Sequence, residues 1–345
     1  MITASVEPKP SFRASATARL QYYRRILPAY LGAGRSQLTF WHETPELSLP
    51  AGIVERQSNH KLGAYYMAFR EKADYGGAHD KAGIPMLDYR GAIGLQYNPI
   101  AIAQWGLANY NRFCETSDPT RLQKTRESAD WLVNNLEQNA KGLRVWNHHF
   151  DWEYRSTLKA PWYSGLAQGQ GISLLLRALE QTGHDKYRQA AEQAFVSLTT
   201  PISEGGVLFE DDEQNLWIEE YLVDPPSHIL NGFMWALWGV YDFWLATQRE
   251  SAAQTFERGV ATLRHNLPRF DTGYWSLYEQ SGTRLKMLAS PFYHRLHIVQ
   301  LRVMKQLTGD TTFSEVANRW EAYTHRRTNR TRALVEKSIF KLVHY

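Results

Sequence analysis

The chain has a single cysteine in 345 residues and no long apolar run. One cysteine excludes an intrachain disulfide, and we expect Cys114, on a predicted helix, to be buried and inert. The first 31 residues lack an uninterrupted apolar core, and no later stretch approaches the ~18 apolar residues of a membrane span. These absences predict a cytoplasmic protein with neither a signal peptide nor a transmembrane segment.

Signatures of metal and nucleotide sites are also lacking. His294 and His297 lie three residues apart on a predicted helix, but no third ligand follows at a zinc-like spacing. The stretch from Ala167 to Gly171 contains Gly-x-Gly, yet it follows no clear strand, which favours close helix packing over dinucleotide binding. The sequence therefore predicts no metal and no cofactor.

The charge of the chain is nearly balanced, with a formal net charge of +4. No compact Lys/Arg cluster indicates nucleic-acid binding, whereas a mildly basic surface suits an acidic polysaccharide. The 19 tyrosines and 12 tryptophans supply flat amphipathic rings that suit sugar faces as well as packed cores. A homodimer is compatible with this composition.

From about residue 98 onward, helix pairs recur every 60 to 66 residues. The first helix of each pair is apolar on most faces and the second has one apolar stripe, which predicts inner and outer helices. The inner helices cover 97–113, 165–182, 228–247 and 292–307, and the outer helices cover 120–136, 186–198, 255–267 and 312–323. We predict a mainly α fold, an (α/α) barrel of about four pairs that occupies residues 91–345.

Segments with Gly turns and alternating or aromatic-rich patterns separate the pairs, at 141–162, 203–226 and 268–288. They predict β-hairpins gathered at one mouth of the barrel. Residues 1–90 differ, since they predict one amphipathic helix over 15–31 and a β-rich arm from Ile53 to Tyr89. We expect this arm to cover the mouth.

Three tyrosines with carboxylate or imidazole neighbours lie where predicted helices meet turn-rich sequence: Tyr221, Tyr278 and Tyr293. A scaffold commonly presents chemistry at such junctions. A tyrosine hydroxyl works as a general acid or base where its neighbours lower its pKa from about 10. The three tyrosines are therefore candidates for proton transfer.

Four motifs carry a family resemblance: LKAPWYSGLAQGQGISLLLRAL, EEY followed by NGF, FDTGYWSLYE and YHRLHIVQL. In order and spacing, from about Tyr97 to Trp320, they resemble the C-terminal domain of the D-glucuronyl C5-epimerases. Those enzymes act on heparosan during heparan sulfate and heparin synthesis and convert glucuronate to iduronate. The resemblance implies the same reaction here, on a heparosan-like polymer and without a cofactor.

The resemblance also implies the residues of the site. The catalytic residues that carry over are Glu220, Tyr221, Tyr278 and Tyr293. Candidates for substrate binding come from the motifs, the hairpins and the arm: Asn231, His294, His297, Trp162, Tyr163, Gln168, Glu153, Tyr97, Arg70, Tyr75, Tyr89, Arg90, Arg284 and Arg295.

Two arginines of the animal enzymes are replaced here by Ser281 and Ser290. The neutralisation of the substrate carboxylate then falls to another cation. The candidates are Arg284, Lys286, Arg295, Arg70 and Arg90.

Alternative functions stay open at this point. A polysaccharide lyase would share proton abstraction at carbon 5 and then expel the oxygen on carbon 4. A glycan-binding protein without activity would explain the missing arginines. A hydrolase would need two carboxylates at a fixed separation, and nothing in the sequence fixes such a pair among Asp151, Glu153 and Glu220.

Overall fold

The structure, a computed structural model, describes residues 38–41, 43–47, 61–89 and 91–344. Two short helical turns, Leu38–Trp41 and Arg70–Ala73, precede the long helices. The long helices are α1 (Pro99–Thr116), α2 (Pro119–Asn134), α3 (Gly165–Thr182), α4 (Asp185–Thr199), α5 (Leu230–Thr247), α6 (Glu250–Phe270), α7 (Pro291–Thr308), α8 (Thr311–His325) and α9 (Arg327–His344).

The described strands are short and form antiparallel pairs. They are β1 (Leu87–Asp88) with β2 (Leu95–Gln96), β3 (Glu137–Gln138) with β4 (Arg144–Val145), β5 (Asn147–His148) with β8 (Trp162–Tyr163), β6 (Trp152–Glu153) with β7 (Thr157–Leu158), and β9 (Leu208–Glu210) with β10 (Leu216–Ile218). The hairpins predicted at 141–162 and 203–226 are confirmed, whereas 268–288 contains isolated bridges.

The helices α1, α3, α5 and α7 are the inner helices, and each packs against the next one in the chain. Each is paired with the outer helix that follows it, so the predicted (α/α) fold is confirmed. The inner position follows from composition: α5 reads LNGFMWALWGVYDFWLAT and is buried on nearly every face. The outer helix α6 buries only one stripe, which includes Phe256, Leu263 and Leu267.

Three of the four inner helices, α1, α3 and α7, begin at side chains that cap the helix and follow the inter-pair segments. Asn98, Ser164 and Ser290 each accept a hydrogen bond from a backbone N–H of the first turn. Because each hairpin returns the chain to the same end, these N-termini lie together. That end is the barrel mouth.

Buried polar contacts fasten the arm to the barrel. Arg177 Nη1 on α3 lies 2.6 Å from Asp242 Oδ2 on α5, both side chains are fully buried, and Tyr66 donates to Asp242 Oδ1 at 2.6 Å. On α1, Asn111 Oδ1 accepts from Tyr65 N at 2.6 Å. Breaking a buried ion pair by removing one partner costs about 3–5 kcal/mol. The contacts of Tyr65 and Tyr66 therefore fasten the arm to the C-terminal halves of α1 and α5.

The predictions for Gly169, Cys114 and the N-terminal segment were confirmed only in part. Gly169 packs closely against a neighbouring helix, as expected, because a Cβ there would lie 2.7 Å from the Ala236 Cα on α5. The expectation for Cys114 was wrong: it is exposed, since it lies in the last turns of α1 beyond the packed part of the helix. The predicted helix at 15–31 lies outside the described residues. Strand pairing in the described part of the arm is limited to isolated bridges and β1.

Across the described ranges, no helix is long and apolar enough to cross a membrane.

Candidate active site

A cavity of about 210 Å³ lies at the barrel mouth, between the N-terminal ends of the inner helices and the arm. The four inner helices contribute Asn98, Ile100 and Gln104 (α1), Leu166 (α3), Asn231 and Trp235 (α5), and Phe292, Tyr293 and Leu296 (α7). The positive ends of four helix dipoles therefore face the cavity, which favours a negatively charged ligand.

Glu220 enters the cavity from the segment that follows β10. The backbone there is held by a hydrogen bond from Gly165 N to Glu219 O at 2.9 Å, at the start of α3. The Glu220 side chain packs on Gly232 of α5, where a Cβ would lie 2.2 Å from Glu220 Oε2. The Asn231 side chain donates to the same oxygen at 3.5 Å. The glycine is thus required for the close approach of Glu220 to α5.

The residue Glu220 is 5% exposed, and the pKa of its carboxyl is raised from 4.5 to about 8. Burial is the main cause, because it disfavours the charged form. A hydrogen bond with the Tyr221 side chain acts in the opposite direction, and the charge of Glu219 adds to the rise. At neutral pH the group is mostly protonated, and a pKa near 8 lets it both give and take a proton.

Tyr221 and Tyr293 line the same cavity from different elements. The ring of Tyr278 lies behind that of Tyr293, with centroids 4.9 Å apart in an edge-on arrangement. A fourth ring, Tyr154, lies 4.7 Å from that of Tyr221. All four belong to one apolar cluster, so the tyrosines predicted from separate motifs are close in space.

The start of α7 fixes Tyr293. Pro291 occupies the first turn, and the Ser290 hydroxyl accepts from Tyr293 N at 3.2 Å. Because a capped first turn has little conformational freedom, the ring of Tyr293 has a defined position at the wall of the cavity.

Aromatic rings form most of the remaining wall. They are Trp41, Phe69, Tyr89, Phe150, Trp152, Trp162, Trp235 and Phe292. His148 stacks on Trp162 with centroids 3.8 Å apart, and burial lowers the pKa of His148 to about 3. This histidine is therefore neutral at physiological pH, and the wall offers flat apolar faces of the kind that pack on sugar rings.

The segment before the barrel, residues 1–90, contributes an ion pair to the cavity. Lys72 Nζ lies 3.3 Å from Glu43 Oε2, and both side chains are buried and line the cavity. Burial lowers the pKa of Lys72 to about 8, and the charge of Glu43 partly opposes this effect. Lys72 remains mostly charged at neutral pH.

The structure brings together a subset of the residues predicted from the sequence. Those at the cavity are Glu220, Tyr221, Tyr293, Asn231, Trp162 and Tyr89. Tyr278 lies directly behind them.

The other predicted residues have partners elsewhere. The hydroxyls of Tyr163, Tyr97 and Tyr75 donate to Gly205 O, Asp80 Oδ2 and Met86 O. Gln168 accepts from Trp146 N, Glu153 accepts from the Thr157 hydroxyl, and Arg70 pairs with Glu46 and Glu115. Arg284 and Arg295 are exposed and do not line the cavity, and Arg90 lies outside the described residues.

His294 and His297 are buried in the barrel beside the cavity rather than in its lining. Ser276 Oγ lies 2.8 Å from His294 Nδ1 and 3.1 Å from His297 Nδ1. Burial lowers the pKa of His294 to about 4 and that of His297 well below its usual value. These histidines connect α7 to the segment that carries Tyr278, because Ser276 lies two residues before it.

Sequence reasoning missed Tyr154, His148 and the Lys72–Glu43 pair. Tyr154 stands in a hairpin already recognised as aromatic-rich, and its buried hydroxyl has no hydrogen-bond partner within the described ranges. Lys72 lies in the arm, from which only tyrosines and arginines were expected. No local sequence motif identifies Tyr154 or Lys72 as a residue of the site.

A wider depression, about 360 Å³, lies on the outer surface against α6. Its basic side chains are already paired: Arg258 with Glu210, Arg264 with Asp310 and His265 with Glu213. The cavity at the mouth is the better candidate for an active site, because its polar side chains are buried, converge on one space and have shifted pKa values.

In the part of the chain that the structure describes, no group of three or more His, Cys, Asp or Glu side chains could hold an ion.

The chain is similar to proteins of one known family over much of its barrel. The sequence profile described as D-glucuronyl C5-epimerase C-terminus matches residues 139–322, more than half of the chain. A D-glucuronyl C5-epimerase of Caenorhabditis elegans is 32% identical over 213 residues, which cover 57% of this chain and 34% of the relative. The uncharacterized protein MJ1128 of Methanocaldococcus jannaschii is 28% identical over 51% of this chain and 56% of its own length. The chain thus spans about a third to a half of these relatives.

Two solved structures are similar to part of this chain. An unsaturated glucuronyl hydrolase from Bacillus sp. GL1 has a TM-score of 0.45 at 17% identity, and the match covers 65% of this chain and 61% of the hydrolase. The corresponding hydrolase from Streptococcus agalactiae has a TM-score of 0.43 at 15% identity, over 69% of this chain and 58% of that one.

Proposed function

Since the chain belongs to the D-glucuronyl C5-epimerase family, we propose that it inverts carbon 5 of D-glucuronyl residues in a heparosan-like polysaccharide to give L-iduronyl residues. The observation that carries the proposal is the pairing of the buried, protonated Glu220 with Tyr221 and Tyr293 around one cavity. Inversion needs one group that removes a proton and another that returns a proton to the opposite face.

One set of side chains is proposed to remove the proton from carbon 5, and a second set to return a proton to it. Glu220 and Tyr221 approach from the segment after β10, and Tyr293 approaches from α7. In the proposed reaction one set takes the proton from carbon 5 and the other donates a proton from the opposite side. A carboxyl with a pKa near 8 suits this role, because both of its protonation states are populated near neutral pH.

The intermediate is an enediolate, which adds negative charge to the substrate carboxylate. The helix N-termini, the protonated Glu220 and the amide of Asn231 support the stabilisation of that charge, since they lie at the cavity and both side chains are buried. Tyr278 acts in this proposal by holding the ring of Tyr293, against which it packs.

The test is proton exchange with solvent. The protein is incubated with heparosan in heavy water, and uronate carbon 5 is followed by NMR. We expect deuterium at carbon 5 and the appearance of iduronate without chain cleavage. Shorter chains with unsaturated ends would identify a lyase, and the absence of exchange with any glucuronate-containing glycan would favour a binding protein.

A further inference from the structure

The cavity must accommodate a uronate carboxylate, and this inference rests on the proposed function. A carboxylate that leaves water for a buried site needs a compensating cation or several donors. The need increases as proton removal adds charge to the same group. The identity of the cation therefore bears on both binding and turnover.

Of the five basic residues suggested by the sequence, the four that the structure describes do not meet this need. Arg284, Lys286 and Arg295 are exposed, and none lines the cavity. Arg70 is half exposed and pairs with two glutamates. Because none of these residues reaches the cavity, another group must neutralise the negative charge of a ligand bound there.

Among the described side chains that line the cavity, Lys72 is the one lysine or arginine. The lining histidine, His148, is neutral because burial lowers its pKa to about 3. A positive charge at this wall thus comes from Lys72.

The surroundings of Lys72 hold its ammonium group in place. The residue lies on the short helical turn that begins after Phe69, which has a left-handed φ of 52°. Glu43 accepts from the backbone N–H of Glu71 at 2.5 Å, from Lys72 N at 3.3 Å and from Lys72 Nζ at 3.3 Å. The Phe40 carbonyl accepts a second bond from Nζ.

An ammonium group carries three N–H donors, so the two contacts made within the described ranges leave one donor for a ligand. The carboxylate of Glu43 is itself compensated by the two backbone N–H groups, which limits the negative charge that it presents to the cavity. Its main effect is then to orient the ammonium group.

We propose that Lys72 binds the carboxylate of the uronyl residue in the cavity. In this assignment the arm supplies the positive charge, while the family-matched region, residues 139–322, supplies the proton-transfer groups. Glu43 acts as a positioning residue for Lys72.

Binding measurements test the assignment without any need for turnover. Calorimetry compares a glucuronate-containing heparosan oligosaccharide with the same oligosaccharide after reduction of its carboxyl groups. Lys72→Met removes the charge at similar length, and Lys72→Gln removes the charge but keeps a donor for the Phe40 carbonyl. Lys81→Met, an exposed residue of the same arm, is the matched control for the change in net charge.

We expect the wild type and the Lys81 variant to prefer the carboxylated oligosaccharide. Both Lys72 variants should lose about tenfold or more in affinity for it, as expected for a charge-assisted hydrogen bond, and little for the reduced form. If the Met variant does not fold, the Gln variant alone decides the result. An unchanged preference for the carboxylate in the Lys72 variants, or no preference in the wild type, would overturn the assignment.

The exchange experiment separates this inference from the proposed function. Loss of the carboxylate preference in the Lys72 variants supports the assignment even if the wild type shows no exchange at carbon 5. Exchange in the wild type together with an unchanged preference in the variants would reject Lys72 and leave the epimerase proposal standing.

Discussion

Replacement of Glu220 by Gln is the most informative single change, because the burial of this carboxyl affects both stability and chemistry. The substitution keeps the size of the side chain and removes its titration. The pKa of Glu220 is about 8 in the folded protein and 4.5 as the ordinary value. Between these two pH values the unfolded chain releases the proton while the folded chain retains it, so the wild type loses stability as pH rises through this window.

The size of the effect follows from the shift. At about 1.4 kcal/mol per pKa unit, the destabilisation reaches roughly 3 kcal/mol at pH 7 and levels off near 5 kcal/mol above pH 8. The amide of the Glu220→Gln variant does not titrate and escapes this penalty. At roughly 1.4 °C per kcal/mol for a chain of this size, the variant should gain about 4 °C in Tm relative to wild type between pH 4.5 and pH 7.

The measurement is thermal unfolding of both proteins across pH 4.5 to 9. The quantity of interest is the change with pH in their Tm difference, because the new amide has its own pH-independent effect. Glu153→Gln is the matched control, since Glu153 is exposed and should give a flat difference. A flat difference for Glu220→Gln as well would show that the carboxyl ionises normally and would refute the argument from burial.

The same variant should lower proton exchange at carbon 5 by about 10²–10⁴, the usual contribution of a positioned acid or base. Exchange near the wild-type rate would remove Glu220 from the mechanism and leave the tyrosines.

Further predictions concern the other groups of the site. Tyr221→Phe and Tyr293→Phe should each lower exchange by about 10²–10⁴, and their defects should differ between reactions started from glucuronate and from iduronate; equal defects in both directions would argue against opposite faces. Tyr278→Phe keeps the ring that supports Tyr293, so its defect should be smaller and alike in both directions. Gly232→Ala should abolish most exchange, because its Cβ would lie 2.2 Å from a carboxylate oxygen of the site, while Gly76→Ala, with no atom within 4 Å of its Cβ, should not. Activity should also survive dialysis against a chelator, and a loss restored only by a divalent ion would contradict this expectation.

The sequence by itself determined the helical scaffold. Periodicity in stretches such as 165–182 and 230–247 predicts helices, because a helix apolar on most faces must be buried whatever surrounds it. Local signals also place Tyr221 and Tyr293 at helix and hairpin ends. The expectation that the inter-pair segments gather at one barrel mouth also predicts that these residues lie close together. The distances between them, however, are set only when the inner helices begin at one end of the barrel.

Only the tertiary structure decided which polar groups share the cavity. Lys72 and Glu43 are distant in sequence from Glu220, and no spacing rule connects them. The raised pKa of Glu220 likewise depends on burial against Gly232, which a sequence does not display. Periodicity reports which face of one element is apolar, whereas electrostatics depends on distances between elements, and those exist only in the folded chain.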